Sequence, residues 1–309
     1  MIVVERKIPS KIIVLEAIHR RAQEQREFIA NHLKRAEIGY IGELKVDAIW
    51  NELEIPSNSL LFHNYEVHRH QLDTLFACPH FVLILEIKNV AGYIWYEQEK
   101  HQFLRKKRTG EIESFQSPIE QVKRNETVID RVIKSIGLSI PLHKIIVIAE
   151  PSTVIGNIPN DVPFIHAIGL RTEIKKLLLK YSTFKLSSVD FELLQSHLME
   201  LYEPRIYKPK FEVPPLKKGA ICSCGEVMRY KYGKFICICG ENSKEPLFQG
   251  LHDYRILINE WITNSEFRNF FLIDNQDLVT KLMKRLNFYY EGDNRARRYY
   301  IPKNIWREY

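Results

Sequence analysis

The spacing of apolar positions changes along the chain and divides it. Residues 11–37 are polar and rich in helix formers, with apolar positions such as Ile13, Ala17, Phe28 and Leu33, which predicts a long exposed helix or a helix pair. Leu44, Ala48 and Ile49 recur at helical spacing and predict a helix over 41–53, with Pro56 marking its exit. From Ser59 the period shortens. LLFHNYEV, QLDTLFA and FVLILEIKNVAGYIWYE are rich in β-branched and aromatic residues and are separated by the turn signals Cys78-Pro79-His80 and Ala91-Gly92, so they predict a meander of strands. The polar segment SPIEQVKRNETVIDRVIKSIGL has Pro118 suited to a first helical turn after Ser117, and Ile119, Val122, Val128, Ile129 and Val132 form an apolar face. KIIVIAE at 144–150 predicts a further strand. Helix, strands, helix, strand is the order of an α/β or α+β sandwich.

Two periodic stretches, LRTEIKKLLLKYS and DFELLQSHLMELY, predict helices within 161–204, and Pro204, Pro209, Pro214 and Pro215 then punctuate a linker. Beyond it VMRYKYGKFI predicts a hairpin through Gly233. HDYRILINEWI, NSEFRNFFLI and QDLVTKLMKRLNF predict three helices, and FYYEGDNRARRYYIP a hairpin with its tip at residues 291–294. The expected domains are an N-terminal helical extension (1–38), an α/β domain (39–160), a helical segment (161–204), a linker (205–219), a small cysteine-bearing module (220–245) and a basic helical module (250–309).

Composition narrows the class. The 309 residues, 45% of them hydrophobic, suit two or three domains rather than one. No apolar run approaches the roughly 20 residues that span a bilayer. Glu5, Arg6, Lys7 and Lys11 interrupt the N-terminal apolar stretches, so a soluble, cytoplasmic protein without a membrane partner is expected. The net charge of +7 is localised: residues 1–204 hold 26 Lys+Arg against 26 Asp+Glu, and residues 205–309 hold 19 against 12. The whole excess lies in the C-terminal third, as in a polyanion-binding module appended to a charge-balanced domain.

The candidate chemistry begins at FVLILEIKNV. Glu86 and Lys88, two apart on a strand, project from the same side, and the apolar run before them makes two ionisable groups costly unless they pair, bind metal or reach the rim. Asp73 lies across one turn and a hairpin can bring it beside Glu86. Two hard oxygen ligands and a lysine at a strand end fit a divalent-metal phosphodiesterase site, while an ion pair on an edge strand is the plainer alternative.

Gly42-Glu43 opening the first helix, Leu72-Asp73 in the second strand, Glu86-Ile87-Lys88-Asn89 with Gly92 after it, and Gln116-Ser117-Pro118 followed by Gln121 together resemble the nuclease-related domain, a branch of the PD-(D/E)xK restriction-endonuclease-like superfamily. The resemblance implies a restriction-endonuclease-like α/β core, a mixed central sheet flanked by helices. It further implies Asp73 and Glu86 holding Mg²⁺ or Mn²⁺ with the Ile87 carbonyl, and Lys88 orienting water or steadying phosphorane charge. Glu43 would complete the acidic pocket and Gln121 would face the site. The superfamily's proline is absent, since Leu72 precedes Asp73, and Asn125 stands where some relatives place tyrosine. Neither departure removes a ligand. The expected function is a metal-dependent deoxyribonuclease; the alternative is a non-catalytic nucleic-acid-binding or regulatory protein with a degenerate nuclease fold.

In the C-terminal third, Cys222, Cys224, Cys237 and Cys239 form two C-x-C-G units with 12 residues between Cys224 and Cys237, whereas Cys78 stands alone and is expected to be a buried apolar residue. Four thiolates with no open position describe a structural Zn²⁺ site, here a zinc ribbon, with free thiols as the alternative because C-x-C spacing is less usual than C-x-x-C. Arg229, Lys231 and Lys234, interleaved with Tyr230, Tyr232 and Phe235, have the charge and stacking pattern that nucleic acid favours. Three helices and a basic hairpin resemble a winged helix-turn-helix. Gln276–Leu286 would be its recognition helix, Arg295, Arg297 and Arg298 its wing, and Tyr299 and Tyr300 further stacking groups, with a solvated helical interaction module as the alternative.

Overall fold

The computed structural model describes residues 2–306, the side chain of Arg295 excepted. In chain order, β1 (Ile2–Val4) is followed by α1 (Ser10–Arg21), α2 (Arg26–Trp50), β2 (Leu60–Val67), β3 (His70–Cys78) and β4 (Phe81–Lys88). Next come β5 (Tyr93–Glu97), β6 (Gln102–Lys106), β7 (Ile112–Phe115), α3 (Pro118–Ser135), β8 (Leu142–Ile148), β9 (Val154–Ile155), β10 (Phe164–His166), α4 (Leu170–Lys180) and α5 (Ser188–Glu200). The remainder holds β11 (Ala220–Ile221), β12 (Val227–Lys231), β13 (Lys234–Ile236), β14 (Asn242–Ser243), α6 (Glu245–Leu257), β15 (Trp261–Thr263), α7 (Asn264–Phe271), α8 (Gln276–Leu286), β16 (Tyr290–Glu291) and β17 (Arg298–Tyr300). Two compact units result: Met1–Ile8 with Glu37–Ile206, and Pro9–Ala36 with Tyr207–Tyr309.

The first unit is built on a mixed sheet of order β1-β2-β3-β4-β8-β10. β2, β3 and β4 pair antiparallel, whereas β8 runs parallel to β4 and β10 parallel to β8. The near-continuous apolar run of β4 is what a central strand covered on both faces requires. Val82 and Ile84 join a core with α3 and α5, and Phe81, Leu83, Leu85 and Ile87 join one with Val46 and Trp50 of α2 and Leu170 and Ile174 of α4. Burying each such side chain is worth about 1.5–3 kcal/mol gross. Cys78 is buried, as expected of a lone apolar cysteine.

Several elements differ from the sequence expectation. Ile2–Val4, assigned to a helical extension, is a strand parallel to β2, and Pro9–Ala36 clusters with the C-terminal residues rather than standing apart. The helix pair and the helix over 41–53 are partly one element, because α2 runs unbroken through Gly39 and Gly42; an isolated glycine weakens a helix by about 1 kcal/mol and does not end it. β6 and β7, in which the buried Phe103 and Leu104 stand among polar, partly exposed neighbours, form a second sheet of order β7-β6-β5-β9 that the pattern did not reveal, and β10 was hidden in a stretch assigned to helix.

The second unit contains the sheet β11-β12-β13-β14, the helices α6, α7 and α8, and the sheet β15-β17-β16. Trp261 and Ile262, expected as the end of a helix, belong to β15, which pairs antiparallel with β17. Its α1 is fixed by a buried ion pair: Arg21 Nε donates to Asp253 Oδ2 at 2.7 Å, Arg21 Nη1 reaches the carbonyls of Lys217 and Gly219 at 3.0 Å, and Arg20 Nη1 meets Asp253 Oδ1 at 2.5 Å. No helix among the described residues is long and apolar enough to cross a membrane.

Candidate functional site

The β3–β4 ladder ends at Thr74↔Leu85, and one further step of that register sets Asp73 opposite Glu86. There the Asp73 side chain replaces a strand carbonyl: its Oδ2 accepts from the backbone N–H of Ile87 at 2.7 Å. Glu86 is buried. One of its oxygens accepts from Lys88 Nζ at 2.5 Å, and the other, Oε2, is buried with no hydrogen-bond partner among the described residues. Lys88 Nζ also donates to Gln121 Oε1 at 3.3 Å. Gln121 owes its position to the start of α3, where Ser117 caps the helix by accepting from Glu120 N, Pro118 fills the first turn and Gln121 N donates to the Ser117 carbonyl.

Glu43 enters from α2. Gly42, just before it, lies against Asn89: a Cβ there would come within 2.4 Å of the Asn89 Cβ, so glycine permits α2 to approach the end of β4. Asn89 Nδ2 in turn donates to the Ile38 carbonyl at 2.7 Å. Burial, and next the neighbouring Asp73 charge, push the Glu43 carboxyl up to about 7 against the pull of Arg6. The same two causes push Glu86 up to about 8 against Lys88. Burial opposes the charge of Lys88, but Glu86 and Asp73 outweigh it and hold the ammonium above its ordinary value.

Sequence reasoning missed Arg6. Its side chain is 3% exposed and its nitrogens meet Glu43, Asp47, His63, Asn64, the Asp73 carbonyl and Thr74. A lone arginine in a polar N-terminal stretch carries no periodic signal, so only the fold could reveal it. Glu43, so engaged, does not join Asp73 and Glu86 in a converged set. Among the described residues, the group of three or more ligand atoms found within 4.8 Å of one another is the four cysteines.

Cys222, Cys224, Cys237 and Cys239 form that group, which could hold a metal ion. The sulfurs of Cys222 and Cys239 are 3.6 Å apart, and those of Cys224 and Cys237 3.5 Å. Each C-x-C-G-E unit folds alike: Cys222 N donates to the Glu226 carbonyl and Gly225 N to the Cys222 carbonyl, with Cys237, Glu241 and Gly240 repeating the pattern. Gly225 and Gly240 adopt φ of +88° and +93°, which only glycine takes readily. The Glu241 carboxylate accepts from Ser223 Oγ at 2.7 Å and Cys222 Sγ at 3.0 Å.

The basic candidates are distributed unevenly. Arg229 and Lys231 are exposed on β12, while Tyr230 between them packs edge-on against Phe235 and Lys234 donates to Asn242 at 2.6 Å. Tyr232, 93% exposed at the hairpin tip, is the free ring. Arg297 lies over Tyr290; Arg298 lies over Trp261 and pairs with Glu291 at 2.7 Å; the Arg295 side chain lies outside the described residues. Tyr299 is buried and Tyr300 packs against Trp261 and Arg255, so neither offers the free stacking face expected of it. The sequence did not single out Lys281, Lys284 and Arg285, which are exposed on α8.

Comparison with known proteins adds one match: residues 38–149 match the family described as the nuclease-related domain. Neither curated proteins nor solved structures give a match. The matched segment contains Glu43, Asp73, Glu86, Lys88 and Gln121, and its description suggests nuclease chemistry and contact with nucleic acid.

Proposed function

We propose that the first unit is a Mg²⁺- or Mn²⁺-dependent phosphodiesterase acting on DNA, with a restriction-endonuclease-like core, and that the second unit holds the nucleic acid. The observation that carries the reading is Glu86 Oε2, a buried carboxylate oxygen without a donor, next to Asp73 on the adjoining strand. Such an oxygen is costly unless a cation completes it. Asp73, Glu86 and the Ile87 carbonyl supply the hard oxygen donors that suit a small divalent ion. Bound there, the cation supplies Lewis acidity, acidifying water and screening phosphate charge. Lys88 holds a proton-rich ammonium beside those carboxylates, where it can steady charge developing on the phosphate, and Gln121 fixes its orientation. Glu43 completes the acidic wall from α2.

In the second unit the cysteines are proposed to hold structural Zn²⁺ as a zinc ribbon. Zn–S bonds of about 2.3 Å in a tetrahedron set sulfurs roughly 3.8 Å apart, near the two separations given above. The order α6, β15, α7, α8, β16, β17 with sheet order β15-β17-β16 supports a winged-helix-like module with α8 as its recognition helix. A cleft of about 580 Å³ beside α8, lined by Asn264, Arg268, Gln276, Thr280 and Arg297 among others and by no acidic residue, suits phosphate. Charge agrees: the first unit holds 21 Lys+Arg against 23 Asp+Glu, net −2, and the second 24 against 15, net +9.

The test is cleavage of plasmid and single-stranded DNA by chelator-stripped protein with and without added Mg²⁺ or Mn²⁺. Restored cutting supports the reading. Tight DNA binding with no cutting at any metal concentration would instead make this a non-catalytic nucleic-acid-binding protein with a degenerate nuclease fold.

A further inference from the structure

Arg6 stands outside the matched segment of residues 38–149, yet it is tied to that segment at several points. Its Nε meets Asp47 Oδ2 at 2.5 Å and Nη2 meets Asp47 Oδ1 at 3.0 Å. Nη1 donates to Glu43 Oε2 at 2.6 Å and Asn64 Oδ1 at 3.0 Å, and Nη2 to the Asp73 carbonyl at 2.9 Å and Thr74 Oγ1 at 3.0 Å. The planar guanidinium thus spans α2, β2 and β3, a fork geometry that lysine lacks. Burying such a cation costs several kcal/mol unless carboxylates and hydrogen bonds compensate, and here both do.

We infer that Arg6 is a positioning residue of the metal site proposed above: it fixes Glu43 on α2 and the Asp73 backbone on β3 relative to each other and keeps Glu43 out of the ligand set. Asp73 is then held at both ends, its carbonyl by Arg6 and its carboxylate by Ile87 N–H. Charge is consistent with this. Glu43, Asp47, Asp73 and Glu86 face Arg6 and Lys88, so once the raised carboxyls of Glu43 and Glu86 have given up their protons, four carboxylates and two cations leave two negative charges, which one divalent ion balances. The N-terminal strand segment is in this sense part of the site, which the matched segment alone does not complete.

The inference rests on the phosphodiesterase reading, and the experiment separates the two. Arg6→Lys keeps the charge and loses the fork; it is compared with Glu43→Gln and the double variant in melting temperature, Mn²⁺ affinity by electron paramagnetic resonance, and kcat and KM for DNA cleavage. The Mn²⁺ ligands stay on the sheet, so Mn²⁺ affinity and KM are expected to remain close to wild type, while Arg6→Lys, which loses buried fork bonds, is expected to melt lower. A catalytic group misplaced by about 1 Å costs on the order of 100-fold in kcat. The double variant should lose no more than the worse single one, because both substitutions break one link. Wild-type kcat in Arg6→Lys, multiplicative losses in the double variant, or a kcat loss matched by an equal fold loss of Mn²⁺ affinity would overturn the inference alone. Should Arg6→Lys not fold, Glu43→Gln, which leaves the other Arg6 bonds in place, decides by the same split between kcat and Mn²⁺ affinity. A wild-type protein that neither binds Mn²⁺ nor cuts DNA overturns the proposed function and, with it, the inference.

Discussion

At the scale of single residues, Glu86 bears the cost of the proposed chemistry. Its carboxyl is raised from the ordinary 4.5 to about 8, first by burial and then by Asp73, so the folded chain binds a proton there at pH values where the unfolded chain has released it. The stability this provides is present below pH 4.5 and lost as pH rises through about 8. With chelator present, the melting temperature is therefore expected to fall from pH 5 to pH 9, and Glu86→Gln to flatten that dependence. Saturating Mn²⁺ should restore stability at high pH. An ion present at 100 times its Kd contributes about 2.7 kcal/mol, which in a domain of this size is several degrees. Glu86→Gln should abolish that Mn²⁺ response; an undiminished shift in the variant would place the ion elsewhere.

At the scale of elements, the two glycines of α2 separate packing from propensity. A Cβ at Gly39 meets nothing within 4 Å, so Gly39→Ala should stabilise by about 0.5–1 kcal/mol. At Gly42 it would meet Asn89 at 2.4 Å, so Gly42→Ala should destabilise by about 1–3 kcal/mol and move Glu43 away from the site. Denaturant unfolding of both variants checks the opposite signs. In the second unit, Asp253→Ala strands the buried Arg21 and should cost about 3–5 kcal/mol. How much of this was legible in the sequence varies by element. The β4 run, its Glu86-x-Lys88 end and the Ser117-Pro118 helix start follow from local rules and take the expected forms. The strands Ile2–Val4 and Phe164–His166 are too short for period to show, and β6 and β7 are too polar. Arg6 was invisible because its role depends on six partners distant in sequence, and Arg297 and Arg298 of the C-terminal hairpin read as free when aromatic rings and, for Arg298, Glu291 engage them.

At the scale of the whole chain, the two units divide the charge more sharply than sequence position does. The split at residue 204 gave a neutral part and a part of +7; the folded units carry −2 and +9, because Pro9–Ala36 contributes its excess of basic residues to the second unit. This also changes how nucleic-acid binding should be tested. Deleting the C-terminal residues would strip Val14, Leu15, Ile18 and Ile29 of the core they share with Tyr207, Phe211, Leu216, Ile256 and Leu257, so point variants are the sounder choice. Replacing Lys281, Lys284 and Arg285 by Ala should flatten log K against log salt by about 2.7 if each meets one phosphate, since B-DNA gives about −0.9 per contact. An unchanged slope would mean that α8 faces something other than DNA. The central claim is tested most directly by one paired measurement: the rate of plasmid cleavage in Mn²⁺ by wild-type protein and Asp73→Asn, purified identically and confirmed to melt alike. The account requires cleavage by the wild type and a loss of at least about 100-fold in the variant, because Asp73 acts on the chemical step rather than on the fold. Equal rates in the two samples would contradict it.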